Sequence, residues 1–146
     1  MGRGPDLIKR TRALAPLPDH YNANWTPENL AWLAGLMEGE GSFYIRRPKD
    51  RKPSFAISLQ MTDRDVVERA RWVAGVGGAV TKGDRAKHYP DKEWKDIWHF
   101  RVQAANEVRA LALALLPLMG ERRSLAILDG LALLESNCAQ SAPASQ

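Results

Sequence analysis

Residues 54–61 alternate one by one. Phe55, Ile57, Leu59 and Met61 fall on one face of an extended strand, and Ser54, Ala56, Ser58 and Gln60 fall on the other. A strand with one oily face and one small or polar face belongs in a sheet that is covered on one side only. The rest of the chain supplies the cover. Thr26-Pro27-Glu28 reads as a helix start, with a hydroxyl N-cap, a Pro at the first helical position and an acid in the first turn. That helix runs through Leu30, Leu33, Leu36 and Met37 and should stop at Gly39 or Gly41. A strand over 42–47 follows. Beyond residue 61, Thr62 is placed to cap a second helix carrying Val66, Ala70 and Val73 and ending at Gly75. A short strand is expected near 79–82, then a polar loop, then a strand over 94–102 that buries Trp98, Phe100 and Val102. A helix with Val108, Leu111 and Leu115 meets Pro117, and a last helix carries Leu125, Leu128 and Ala132. Strand pairs on short loops, interleaved with helices, predict an α+β domain with an antiparallel sheet and helices on one face.

The boundaries of this domain are read as 25–136. Residues 1–24, with three prolines and the basic run Lys9, Arg10 and Arg12, read as an N-terminal arm, and 137–146, rich in Ser, Ala, Pro and Gln, as a disordered tail. The single cysteine, Cys138, excludes an internal disulfide and a cysteine-rich zinc site. No apolar run reaches the roughly 18 residues that span a membrane, and no signal-type apolar segment follows the basic start. A cytoplasmic or organellar, non-secreted protein is the expectation, with no membrane partner. The net charge of +4, from 21 basic and 17 acidic residues, favours polyanions only weakly, so distribution matters more than total.

The most peculiar stretch is Leu33-Ala34-Gly35-Leu36-Met37-Glu38-Gly39-Glu40-Gly41. Gly35 and Gly39 stand four apart, on one helical face. Each costs about 1 kcal/mol relative to Ala inside a helix, so a compensating close approach of another backbone is expected there. Glu38 and Glu40 sit at the negative end of the helix macrodipole, where each is misplaced by up to about 1 kcal/mol. A bound divalent cation would reverse that penalty. Solvated turns also contain acid-Gly-acid-Gly, so the pattern alone does not decide.

Extended as Trp32 to Phe43, the stretch resembles the signature of LAGLIDADG homing endonucleases, with Met37-Glu38-Gly39-Glu40 standing where the motif has Ile-Asp-Ala-Asp. The element order over residues 26–134 resembles that family's αββαββα core, whose antiparallel sheet forms a DNA-binding saddle. Two features depart from the pattern: both acids are Glu, and an arm precedes the core. The resemblance implies a site-specific double-stranded DNA endonuclease, a phosphodiester hydrolase acting at a long pseudo-palindromic site and associated with intron or intein mobility. It implies a catalytic set of Glu40, Gln60, Asp63 and Arg122, with Arg123 the alternative to Arg122, and a structural role near the helix end for Glu38, the motif's earlier acid. The metal falls to Glu40 and the backbone carbonyl of Gly39; Mg²⁺ is the expected ion, with Mn²⁺ or Ca²⁺ as possible occupants. With one motif per chain it implies a homodimer, and Leu33, Ala34, Gly35, Met37, Glu38 and Gly39 are assigned to the dimer interface.

The expected DNA surface is the polar side of the sheet. The first strand offers Ser42, Tyr44 and Arg46, the following loop Arg47, Lys49, Arg51 and Lys52, and the second strand Ser54, Ser58 and Gln60. Lys82, Lys95, His99 and Arg101 complete the set. Arg, Gln and Ser on an antiparallel ribbon read base edges in a major groove, and basic loops meet phosphates. Any half-exposed sheet has a polar outer face, so this pattern gains its weight from the motif beside it. Trp32, Trp72 and Trp98 stand at positions compatible with packing. Two other readings use the same scaffold: an RNA-binding intron maturase, which a basic patch away from the sheet would favour, and a DNA-binding regulator that does not cut.

Overall fold

The computed structural model describes residues 15–83 and 95–141. Helix α1 (Pro27–Glu40) leads into strands β1 (Gly41–Arg46) and β2 (Ser54–Met61), followed by α2 (Arg64–Ala74). The second half repeats the plan with β3 (Thr81–Lys82), β4 (Trp98–Val102), α3 (Ala105–Leu115), a 3₁₀ turn at Leu116–Leu118 and α4 (Glu121–Ser141). The four strands form one sheet in the order β1-β2-β4-β3, antiparallel throughout. The expected α+β architecture is the observed one.

The register makes the two faces continuous across strands. Phe43 pairs with Ile57, Ile57 with Val102, and Leu59 with Phe100, so one apolar face runs from β1 to β4. These side chains, with Phe55, are buried beneath Leu33 and Met37 of α1, Val67 and Val73 of α2, Val108 and Leu111 of α3, and Ile127 of α4. On the other side Ser42, Ser58 and Arg101 line up across three strands, as do Gln60, His99 and Thr81. Ala56 is the one small residue of that face to be fully covered, opposite Tyr44.

Several local expectations are corrected. Asp63, not Thr62, is the N-cap of α2, and its side chain makes no capping bond. The last long strand begins at Trp98, with Lys95 to Ile97 outside the ladder; Trp94 lies outside the described residues. The buried stripe of α4 is not Leu125, Leu128 and Ala132. Leu125 and Leu128 are 57% and 51% exposed, Ala132 is exposed, and Ile127 is fully buried instead. Gly130 sets this phase, because a Cβ there would meet the Phe55 ring at 2.4 Å. The helix therefore lies closest to the sheet along its glycine, with Leu131 and Leu134 packed on the core beside it. The chain is still helical from Asn137 to Ser141, where composition suggested a disordered tail, and Asn137 Nδ2 donates to the Pro53 carbonyl at 2.8 Å.

The described part of the expected arm is tied down as well. Trp25 Nε1 donates to Ala74 O at 3.1 Å, Asn24 Nδ2 donates to Trp72 O at 3.0 Å, and Tyr21 packs edge-on against Trp25. Residues 18–25 thus buttress the C-terminal end of α2 rather than forming a free leader. Lys9, Arg10 and Arg12 lie outside the described residues. Trp72 is 56% exposed and not a core residue, while Trp32 and Trp98 are half-buried, each under an arginine. Among the described residues no helix is long and apolar enough to cross a membrane.

Candidate functional site

The acid-rich end of α1 is built by a helix that passes directly into a strand. Gly41 caps the helix in an extended conformation, its N–H bonded to Met37 O, and is already the first residue of β1. With no loop between them, Glu40 is set at the rim of the sheet. Gly41 pairs with Leu59, so this rim is also the end of β2 that carries Gln60. Asp63 follows at the start of α2. Glu40, Gln60, Asp63 and Arg122 are all exposed. Among the described residues no three His, Cys, Asp or Glu side chains converge as a cage. A single carboxylate with a neighbouring carbonyl fits a hard cation such as Mg²⁺ only in an open site. Such an ion keeps several waters and takes further oxygens from phosphate.

Glu38 has a different setting. Its Oε1 accepts from the N–H of Gly120, directly before α4. Its Oε2 lies 3.5 Å from Arg123 Nε, and its backbone carbonyl accepts from Arg123 Nη2 at 3.3 Å. The penalty for an acid at the negative end of α1 is therefore offset by the positive end of α4 and by a guanidinium, without any metal. The same contacts separate two neighbours that sequence alone left as alternatives. The Arg123 side chain is 16% exposed and engaged with Glu38, whereas Arg122 is exposed.

The polar face of the sheet carries most of the residues expected there. Ser42, Arg46, Gln60 and Arg101 are exposed, and Tyr44, Ser54, Ser58 and His99 are partly so. The β1–β2 loop adds exposed Arg47, Lys49, Arg51 and Lys52 at one end of this face. Burial, and secondarily the charge of Arg101, hold the His99 imidazole below its ordinary pKa. Beside it, Thr81, Gln103 and Glu107 help to line an open cleft of about 590 Å³ that also includes His99 and Arg101. Two expected members fall elsewhere. Lys82 pairs in register with Trp98, so it belongs to the opposite side of the sheet, where it forms an ion pair with Asp96 at 3.3 Å. Lys95 is exposed but precedes β4, so no ladder sets its face. Thr81 takes the place given to Lys82; a two-residue strand is too short for alternation to reveal which residue faces which way.

No protein-family model matches the sequence, and no curated relative is found by sequence. Similarity is found among solved structures. The homing endonuclease I-CvuI, in complex with its target in the presence of Ca, superposes with a TM-score of 0.57 at 15% identity, over 82% of this chain and 85% of that one. The group I intron-encoded homing endonuclease I-CeuI, complexed with DNA, gives 0.59 at 15% identity, over 75% of this chain and 55% of that one. The LAGLIDADG meganuclease I-AabMI, bound to uncleaved DNA, gives 0.52 at 19% identity, over 74% of this chain and 35% of that one. The fold is that of the LAGLIDADG homing endonucleases.

Within this LAGLIDADG fold, the motif helix α1 divides its residues between two duties. Leu33, Ala34 and Met37 are 1–3% exposed because they are part of the chain's own core, and a second chain cannot reach them. Of the six residues assigned to a dimer interface, Gly35, Glu38 and Gly39 remain accessible. A Cβ built on Gly35 or Gly39 meets nothing within 4 Å, so neither glycine is explained by packing inside the chain. Ala31, also exposed, extends the small-residue row by one turn; sequence reading passed over it because alanine is unremarkable in a helix. Gly120 was passed over too, since its partner Glu38 is 82 residues away.

Proposed function

We propose that the chain is a site-specific, metal-dependent DNA endonuclease acting as a homodimer, with one cutting site per chain. The observation that carries this reading is the placement of Glu40. An exposed carboxylate stands at the rim of a sheet whose open face presents Arg46, Arg101, Gln60 and Ser58 and whose β1–β2 loop carries four more basic residues. Antiparallel strands such as β1 and β2 fit a major groove, where Arg and Gln discriminate bases and flanking cations meet phosphates. The structural neighbours are DNA complexes, which supports DNA as the partner.

Glu40, with the Gly39 carbonyl, would hold the divalent cation, Mg²⁺ by its preference for oxygen donors. When bound there, the ion lowers the pKa of an attacking water and neutralises charge on the phosphoryl oxygens. Arg122, exposed at the start of α4, adds a permanent positive charge toward the scissile phosphate. Gln60 and Asp63, at the end of β2 and the start of α2, are placed to order water or a phosphate oxygen by hydrogen bonding. The open row of Ala31, Gly35 and Gly39 supports close pairing of two α1 helices about a two-fold axis. That pairing would bring two Glu40 residues to the centre and make the target approximately palindromic. RNA binding on the helical side is less well supported. The arginines of α2 are engaged locally: Arg64 with Glu68 and the Trp98 ring, Arg69 on the Trp32 ring, and Arg71 on Gly78 O.

The test is cleavage. The purified chain is incubated with Mg²⁺ and a pool of long random duplexes, and cut ends are sequenced; a recurrent, roughly symmetric site is expected. Glu40→Gln should lower cleavage by about 100-fold or more, because several kcal/mol of charge stabilisation is lost, while duplex binding survives. Full activity of Glu40→Gln would refute the assignment.

A further inference from the structure

We propose that Glu38, Gly120 and Arg123 form a positioning clamp that sets Glu40 and Arg122 at a fixed separation; the inference rests on the endonuclease reading of those two residues. The clamp joins segments 82–85 residues apart by three contacts. The Glu38 carboxylate accepts from Gly120 N–H and pairs with Arg123 Nε at 3.5 Å, and the Glu38 carbonyl accepts from Arg123 Nη2 at 3.3 Å. Each has a physical reason. Helix α1 has no basic residue in its last turn, so Arg123 supplies from another helix the cation that its carbonyl end favours. Glu38 in turn supplies the anion favoured at the start of the 21-residue α4. Arg123 Nε is buried without a hydrogen-bond partner, so the Glu38 carboxylate is the charge that stabilises it there.

Gly120 makes the approach possible. A Cβ at that position would run into Glu38 Oε1, so the flexible carboxylate end would have to swing away from the Gly120 N–H. The consequence for the site follows from the chain itself. Glu40 is two residues beyond Glu38, and Arg122 adjoins Arg123. Fixing Glu38 against Gly120 and Arg123 therefore fixes the backbone on which the acid and the exposed guanidinium are mounted. A misplacement near 1 Å between such groups can cost about 100-fold in rate. None of the three clamp residues needs to touch DNA.

The experiment uses the full chain and four variants: Glu38→Gln, Gly120→Ala, Arg123→Lys and Arg123→Met. Gly120→Ala retains every charge and only displaces the carboxylate, so it covers the case in which a charge variant fails to fold. Amide hydrogen exchange across residues 38–41, Mn²⁺ broadening of the Gly39 to Gly41 amide signals, and single-turnover cleavage at saturating duplex are measured. Faster exchange and an apparent Mn²⁺ affinity lower by about tenfold or more are expected for Glu38→Gln and Gly120→Ala. The cleavage rate should fall about 10- to 100-fold with duplex affinity nearly unchanged, and Arg123→Lys should retain more of it than Arg123→Met. Unchanged exchange and Mn²⁺ broadening in Gly120→Ala and Glu38→Gln overturn the clamp, whatever the cleavage rate. If the unmodified chain cuts no duplex, the endonuclease reading fails, and exchange with Mn²⁺ broadening still decides whether the clamp positions Glu40.

Discussion

Gly35→Leu gives opposite results depending on what covers the outer face of α1. A Cβ at Gly35 meets nothing within 4 Å in the single chain and the position is exposed, so a leucine there starts into open space. Replacing a mid-helix glycine by a good helix former should stabilise the folded monomer by about 1 kcal/mol. For a domain of this size that raises the melting temperature by roughly 3 °C. In a two-fold dimer packed through Gly35 the same side chain enters twice. Overpacking costs about 1–3 kcal/mol per site, or about 2–6 kcal/mol per dimer, which weakens association by roughly 30-fold to 10⁴-fold. Sedimentation velocity and thermal melts at several micromolar concentrations separate the two cases. With pairing through α1, the unmodified chain sediments as a dimer with a concentration-dependent melting point, and Gly35→Leu is monomeric and loses that dependence. A Gly35→Leu protein that sediments like the parent and simply melts higher would show that this face is solvated, and the small-residue argument would fail.

Three further tests address the polar face. Arg46→Ala and Arg101→Ala should each weaken specific duplex binding by about 1–3 kcal/mol if they make bidentate base contacts; gel-shift titration against cognate and scrambled duplexes reads this, and equal losses on both would argue against base readout. Lys49→Ala should weaken binding to all duplexes alike and reduce the slope of log affinity against log salt by about one; an unchanged slope would remove the β1–β2 loop from the phosphate contacts. The lowered pKa of His99 means that the folded chain resists protonation there, so its share of stability is present above pH 6.5 and is lost as pH falls below it. An imidazole titration by NMR should put His99 below 6.5, and Arg101→Ala should raise it only in part, since burial is the larger cause.

Much of this molecule was legible wherever the physics is local. The Thr26 cap, with its Oγ1 accepting from Asn29 N at 3.1 Å, the alternation of Phe55, Ile57 and Leu59, and the stop at Gly75 depend on neighbours a few residues away, and each was found where expected. The order of helices and strands followed, and so did the delivery of Glu40 to the rim of a sheet. The division of α1 between the core and an open face was not legible, because leucine, methionine and glycine in one motif do not say which face the rest of the chain will cover. The phase of α4 was misjudged for a similar reason: Leu125 and Leu128 look like a core stripe until Phe55 packs against Gly130, a contact between residues 75 apart. Glu38 and Glu40 look alike along the chain, two carboxylates at one helix end. The motif resemblance assigns them different roles, but only folding shows their different surroundings, bringing Gly120 and Arg123 to the first and leaving the second exposed, since charges far apart in sequence interact strongly only once tertiary structure sets them a few ångströms apart.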